Sequence, residues 1–317
     1  MTTPICLFTY NRLHETKQTV KALKENFLAM ESDLFVFSDG PKNDAGRLKV
    51  EAVRQFLTSV NGFKSVKVFE SEQNKGLANS IISGVSQIIQ KYGKVIVLED
   101  DLITSTNFLN FMNQALDYYA SKEKIFSISG FGHKVGLPAD YPYDVFLRGR
   151  NYSWGWATWL GRWETVDWDI KDWESFSTNK QRVKAFNAHG SDLFKLLKGS
   201  MEGTNNSWAI RFGYNQFKQD KLTVCPVLSK VRNEGYGGDA THCKTSYNRH
   251  KIRFDQTGKT HFEFTDDLYL VPYINKQLVE YNSVKSRVKT KIYSVLTKNG
   301  IMKEVDSVEY VTNNGTI

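Results

Sequence analysis

Over its first hundred residues the chain switches repeatedly between short apolar runs and a helical spacing of apolar positions. Residues 5–10 form such a run, the mark of a strand, and Asn11 behind it reads as a helix N-cap. Leu13, Val20, Leu23, Phe27 and Met30 then keep helical spacing. Residues 34–38 read as a second strand closed by the turn Asp39-Gly40-Pro41, and Val50, Val53, Leu57 and Val60 mark a second helix. Residues 66–69 give a third strand, and Leu77, Ile81, Val85, Ile88 and Tyr92 a third helix. The fourth strand, residues 95–98, is unbroken aliphatic and β-branched, as a strand buried on both faces requires. The alternation predicts an α/β fold with a mostly parallel, right-handed central sheet flanked by helices.

Regular alternation stops after Lys122. Residues 124–129 suggest one more strand and 130–142 a loop. Residues 175–205 read as polar helix, with apolar Val183, Phe186, Leu193, Leu196 and Leu197, and Trp208 opens a further helix. Residues 222–228 return as a strand, in which Pro226 suggests an edge or a bulge. A glycine-rich loop over 233–243 follows, where Gly237 and Gly238 would permit a mobile lid carrying His242. Residues 283–298 place Val284, Val288, Ile292 and Val295 on one face among Lys285, Arg287, Lys289, Lys291 and Lys298, with no acid between Glu280 and Glu304. Such a basic amphipathic helix either lies on an anionic membrane surface or packs on its own domain. The chain divides into residues 1–260, with halves 1–130 and 131–260, and a tail 261–317.

A length of 317 residues suits one large domain, or one with a sizeable insertion. Lys and Arg total 42 against 34 acids, and the resulting charge of +8 suits an anionic partner: nucleotide, lipid headgroup or nucleic acid. No run of about 18 apolar residues occurs, which excludes a transmembrane helix. The negative mean hydropathy predicts a soluble protein, and the N-terminus, without a cationic start or cleavage site, predicts no signal peptide. Cys6, Cys225 and Cys243 are odd in number and far apart, as in a reduced, cytoplasmic chain.

The buried strand ends in Glu99, Asp100 and Asp101. Open α/β sheets bind ligands beyond the carboxyl ends of their strands. Three acids there repel one another unless a cation sits among them, and oxygen ligands suit Mg²⁺ or Mn²⁺. The same acids could simply open a helix, whose N-terminus favours carboxylates. Thr9 and Asn11, then Asp39, then Asn74, Lys75 and Gly76 recur at strand ends, and a parallel sheet would converge them on the acids. A nucleoside diphosphate wants that set: a carboxylate for base or ribose, a cation and loop amides for phosphate, and a metal. No Gly-x-Gly-x-x-Gly follows the first strand and no Walker lysine motif occurs, which argues against dinucleotide and P-loop enzymes. Six of the seven tryptophans lie between 154 and 173, and indoles stack on sugar faces. Trp154 and Trp156 are expected to line a sugar pocket, Trp163 and Trp168 to be packing.

Glu99-Asp100-Asp101 resembles the metal-binding acidic signature of GT-A nucleotide-sugar glycosyltransferases. Phe8-Thr9-Tyr10-Asn11-Arg12, Asp39 and Asn74-Lys75-Gly76-Leu77-Ala78 resemble the donor-binding elements of family-2-like members. Residues 153–159, 207–212 and 233–243 resemble bacterial enzymes that build surface polysaccharides. The acidic signature and the spacing over 226–235 are also similar to N-acetylglucosaminyltransferase I. The resemblance covers roughly residues 3 to 245. It implies a GT-A-like, Rossmann-like sheet with an acceptor-side insertion and a C-terminal helical tail.

The activity implied is transfer of a sugar from a UDP- or GDP-sugar to a glycan hydroxyl with inversion, in O-antigen or capsule synthesis. Mn²⁺ or Mg²⁺ would be held by Asp101 and His242. The donor would be held by Thr9, Asn11, Arg12, Asp39, Asn74, Lys75, Gly76, Glu99 and Asp100. The acceptor would meet Trp154, Trp156, Asn206, Trp208 and Arg211. Where the resemblance puts the catalytic base, this chain has Asn206 and Ser207, which leaves Glu202 and Asp239 as candidates. An acceptor on polyprenyl diphosphate would place the enzyme peripherally at the inner face of the plasma membrane, with no nucleic-acid partner. A sugar-nucleotidyltransferase would share the sheet and metal, but opens with a glycine- and basic-rich loop missing after Tyr10. A non-catalytic carbohydrate-binding GT-A scaffold is the third reading.

Overall fold

Apolar runs become strands and helical spacings become helices in the expected order over the first hundred residues. The computed structural model describes residues 2–235, 250–299, 301 and 307–316. It opens with β1 (Ile5–Thr9), α1 (Leu13–Lys24), β2 (Asp33–Ser38), α2 (Asp44–Leu57), β3 (Ser65–Glu70), α3 (Leu77–Tyr92) and β4 (Lys94–Glu99). The first helix is shorter than its apolar spacing: Phe27 and Met30 lie beyond it and are exposed. The Phe27 N–H donates to Thr106 O, and the Asn26 amide binds Ala22 O and Thr104 Oγ1, which pulls the chain off the helix axis. Val60 likewise lies past the end of α2. Arg12, rather than Asn11, occupies the cap position of α1. Helix α3 runs between Gly76 and Gly93, both at positive φ, the second a left-handed C-cap.

The remaining elements are β5 (Leu102–Thr104), α4 (Phe108–Tyr118), β6 (Ile125–Ser129), β7 (Val145–Arg148), β8 (Trp156–Trp159), α5 (Leu160–Trp163), α6 (Trp173–Thr178), α7 (Lys180–Asn187), α8 (Leu193–Met201), α9 (Trp208–Lys218), β9 (Leu222–Pro226) and β10 (Val231–Asn233). The tail adds β11 (Ile252–Asp255), α10 (Pro272–Tyr281), α11 (Val284–Lys298), β12 (Val308–Thr312) and β13 (Gly315–Thr316). The central sheet has the order β3-β2-β1-β4-β8-β6-β9-β7. Only β8 and β7 run against the rest, so the sheet is mostly parallel. Strand order reverses between β1 and β4, the switch point at which such sheets bind ligands. Helices α1, α2 and α4 cover one face; α3, α5 and α9 cover the other.

Strand β8 carries the tryptophan motif into the middle of this sheet, antiparallel between β4 and β6. Alternation sends Trp156 to the α3–α9 face and Trp159 to the α4 face. The expectation of an edge at Pro226 is corrected: β9 lies inside the sheet, between β6 and β7, and the proline is its last residue. Nor does the packing break at 260. Phe262 joins the core against Phe111, and Ile274 and Leu278 pack with Val135, Phe146 and Cys225. Strand β12 pairs in parallel with β11. Among the described residues no helix is long and apolar enough to cross a membrane.

Candidate functional site

The carboxyl ends of β1 and β4 lie side by side, Phe8 in register with Glu99. The chain leaves β1 through Tyr10, Asn11 and Arg12, and leaves β4 through Asp100 and Asp101. Arg12 Nη2 bonds Asp100 Oδ1 and stands 3.1 Å from Asp101 Oδ2, which puts a guanidinium of this protein beside the two aspartates. The Tyr10 N–H donates to Asp100 Oδ2 at 3.4 Å. Burial pushes the Asp100 carboxyl up to about 6, against the pull of Arg12. Burial pushes Glu99 further, to about 8, with the charges of Asp101 and Asp100 adding to it. For Arg12 burial works toward a lower pKa, but the two aspartates outweigh it and hold the guanidinium charged.

Asp101 is reached from the far end of the chain as well. Strand β10 pairs antiparallel with β5, Asn233 opposite Leu102. This pairing sets Asn233 Nδ2 3.4 Å from Asp101 Oδ1 and lets the Glu234 N–H donate to Asp101 O. Gly235 packs close against the same carboxylate: a Cβ there would stand 2.3 Å from Asp101 Oδ2, so a larger residue would push the Asp101 side chain aside. Sequence reasoning missed Asn233 and this clamp, since a three-residue strand has no periodicity to read.

Asp39, just past the end of β2, anchors the neighbouring loop. Its Oδ1 accepts from the N–H groups of Gly40 and Lys75, and its Oδ2 from Gly76 N–H and the Asn74 amide. Those four bonds fill the acceptor capacity of a carboxylate. Asp39 therefore builds the 74–76 loop. The Thr9 hydroxyl is buried at the same sheet edge without a hydrogen-bond partner.

Across this loop stands the N-terminus of α9, capped by Ser207, whose Oγ accepts from Ile210 N–H. The Asn206 amide faces Gly76: a Cβ on the glycine would be 3.9 Å from Asn206 Nδ2. Arg211 holds Asn206 Oδ1 at 3.1 Å and Trp168 O at 3.3 Å. Phe8, Phe37 and Phe69 form a stacked ladder across β1, β2 and β3, with ring centres 5.0 and 4.9 Å apart. Phe37 and Phe69, with Ser71 and Lys75, line a cleft of about 230 Å³ beside Asp39.

No family model matches the chain, and no curated protein sequence does. Solved structures do. The mannosyltransferase PcManGT from Pyrobaculum calidifontis, in complex with GDP-Man and Mn²⁺, is 13% identical over 52% of this chain and 46% of its own, with a TM-score of 0.37. S. aureus TarS 1–349 is 12% identical over 74% of this chain and 61% of its own, at 0.41. A longer S. aureus TarS structure is 12% identical over 60% and 33%, at 0.37. The chain spans less than two thirds of each of them.

The tryptophan expectation is corrected in part. Trp156 and Trp208 are 2% and 3% exposed and stack on each other with centroids 4.8 Å apart, so neither offers a face to a sugar. Trp163 stacks on Trp156 as packing. Trp154 is half-buried, edge-on to Phe131 at 4.6 Å and near His250 at 5.5 Å. Glu202 is exposed at the end of α8, with Lys198 3.5 Å away on the preceding turn. Asp239, His242, Gly237, Gly238 and Cys243 lie outside the described residues; Gly235 beside Asp101 and His250 beside Trp154 are the residues bracketing that stretch. Among the described residues no group of three or more His, Cys, Asp or Glu side chains comes together to hold a metal ion.

Proposed function

We propose that this protein is a glycosyltransferase that moves a hexose from a UDP- or GDP-sugar to a hydroxyl of a glycan acceptor, with inversion, in the synthesis of a cell-surface polysaccharide. The observation that carries the reading is the convergence at the β1–β4 switch point: Arg12 on the acid pair, the 74–76 loop built by Asp39, and Asn206 facing Gly76. The Lys75 side chain and the loop bring positive charge to a diphosphate, and Arg12 forms bidentate contacts with phosphate as readily as with carboxylate.

The donor set fits a hard divalent cation in part. Asp101 and Asp100 supply carboxylate oxygens, and Mg²⁺ or Mn²⁺ typically completes its shell with substrate phosphates and water. Asp101, the more exposed of the two, would hold it once Arg12 turns to the diphosphate. Such a cation neutralises charge on the departing nucleoside diphosphate. The acceptor hydroxyl attacks the anomeric carbon from the face opposite the leaving group, and a carboxylate takes its proton. Glu202 and Asp239 are the candidates for that base. The acceptor is carried on polyprenyl diphosphate, and the enzyme meets it from the cytoplasmic side.

Asp101→Asn tests the reading. The variant should fold normally and bind UDP or GDP in the presence of Mn²⁺ at least about tenfold more weakly, the cost of one charge-assisted contact. Unchanged Mn²⁺-dependent affinity would overturn the metal assignment. The wild-type protein should release free sugar slowly from one member of a UDP- and GDP-sugar panel. Binding with no hydrolysis or transfer would favour a carbohydrate-binding scaffold, and nucleotidyl transfer from a nucleoside triphosphate the other enzyme class. Glu202→Ala and Asp239→Ala separate the two bases by which one stops turnover while donor binding persists.

A further inference from the structure

Helix α11 is inside out. Thr290 is its one buried residue, and the half-buried Ser286, Ser294 and Thr297 share that side. Val284, Val288, Ile292 and Val295 face the other way, each at least half exposed. At ~100° per residue these four fall within about a quarter of the helix circumference. Lys285 and Lys289 border the stripe on one flank, Lys291 and Lys298 on the other, and all four are exposed. Arg287 is the basic residue turned to the fold, its Nη1 donating to Ser191 Oγ and Asn282 O at 2.9 Å. Ser283 caps the helix by accepting from Ser286 N–H.

A helix stabilised by the fold alone buries its apolar face. Here hydroxyls are buried and a continuous aliphatic face is left in solvent, an arrangement that marks an interaction surface. The lysine rows choose the occupant. A second copy laid face to face would set lysine against lysine along both flanks, whereas anionic headgroups would meet both rows. A 15-residue helix is about 22 Å long, too short to span a bilayer and suited to lying flat on one.

We propose that α11 docks this protein on an anionic lipid surface, with Val284, Val288, Ile292 and Val295 among the headgroups and the four lysines against lipid phosphates. The binding is reversible and salt-sensitive, each lysine strengthening it by about fivefold at low ionic strength.

The experiment is co-sedimentation of the full chain with vesicles of phosphatidylcholine alone or mixed with phosphatidylglycerol. Substitutions serve better than deletion, because removing residues 283–317 would also remove β12 from its pairing with β11. The wild type should pellet with the mixed vesicles at low salt, and lose that at high salt or without phosphatidylglycerol. Val288→Ser with Ile292→Ser, both on the exposed face, should weaken binding at least about tenfold with an unchanged melting temperature. No binding to the mixed vesicles, or equal binding by the double variant, overturns the proposal. Wild-type dimerisation in the absence of lipid that the double variant abolishes would assign the face to a second copy and overturn it equally. Turnover is not read, so the outcome is independent of the glycosyltransferase reading.

Discussion

At Asp100 and Asp101 the repulsion expected of adjacent acids is relieved by Arg12, which the sequence places eleven residues into the chain and the fold places on the carboxylates. Trp156 shows the opposite outcome, a residue whose chemistry suggests a ligand and whose surroundings leave no room for one. Its ring is closed in by Trp163, Trp208 and Phe212. Trp156→Ala should therefore cost about 3–5 kcal/mol, read by denaturant unfolding, with any loss of activity following the loss of folded protein. Activity lost at undiminished stability would return this indole to the pocket. His189 gives a pH signature. It is half-buried beside Gly149 with Nδ1 unpartnered, and burial, then Arg148, hold its pKa below the usual histidine value. A depressed histidine favours the fold above the unfolded pKa of about 6.5, and that contribution fades as the pH falls below it. Glu99 and Asp100, with raised values, act in the opposite sense over the neighbouring range. The His189 contribution is therefore read as a difference: His189→Gln should flatten the fall in unfolding free energy between pH 7 and pH 5.5, by at most about 1.4 kcal/mol per pH unit. Identical pH dependence in both proteins would show that His189 is protonated as freely as in the unfolded chain.

Elements carried most of what could be read in advance. The spacing of Leu77, Ile81, Val85, Ile88 and Tyr92 gave α3 to the residue, because an amphipathic helix between two glycines has both a period and punctuation. Strand β8 could not be read, since Trp, Ala, Thr and Trp look alike as a binding motif or a buried strand until the neighbours are known. The 74–76 loop lies between: Asn74 and Gly76 announce a turn, but only the fold brings Asp39 beneath it from 35 residues away. Asp39→Ala should free four donors at once. We expect donor-nucleotide affinity to fall at least about tenfold and amide exchange at Lys75 and Gly76 to quicken, with a stability loss of about 1–3 kcal/mol. Normal exchange at those amides would show that the loop holds its shape unaided.

For the whole molecule, the boundary read at residue 260 meets a continuous core. Tyr119 Oη donates to Thr265 O and accepts from Thr265 N–H, while Phe262, Ile274 and Leu278 are buried against the sheet side. A chain ending at 260 should melt at least about 10 °C lower, since burying three or four such side chains contributes about 1.5–3 kcal/mol each. An unchanged melting temperature, by calorimetry, would make 261–317 a separate tail after all. The sequence by itself determined the first seven elements, the parallel half of the sheet and the three acids at its switch point, because local periodicity and strand-end position are written within short windows. Tertiary structure alone decided that Arg12 pairs with those acids, that Asp39 builds the 74–76 loop, that Asn233 closes on Asp101, and that the tryptophans of β8 face inward. Each of these depends on contacts between residues far apart in the chain, and on the competition among buried groups for the same partners, which no local pattern records.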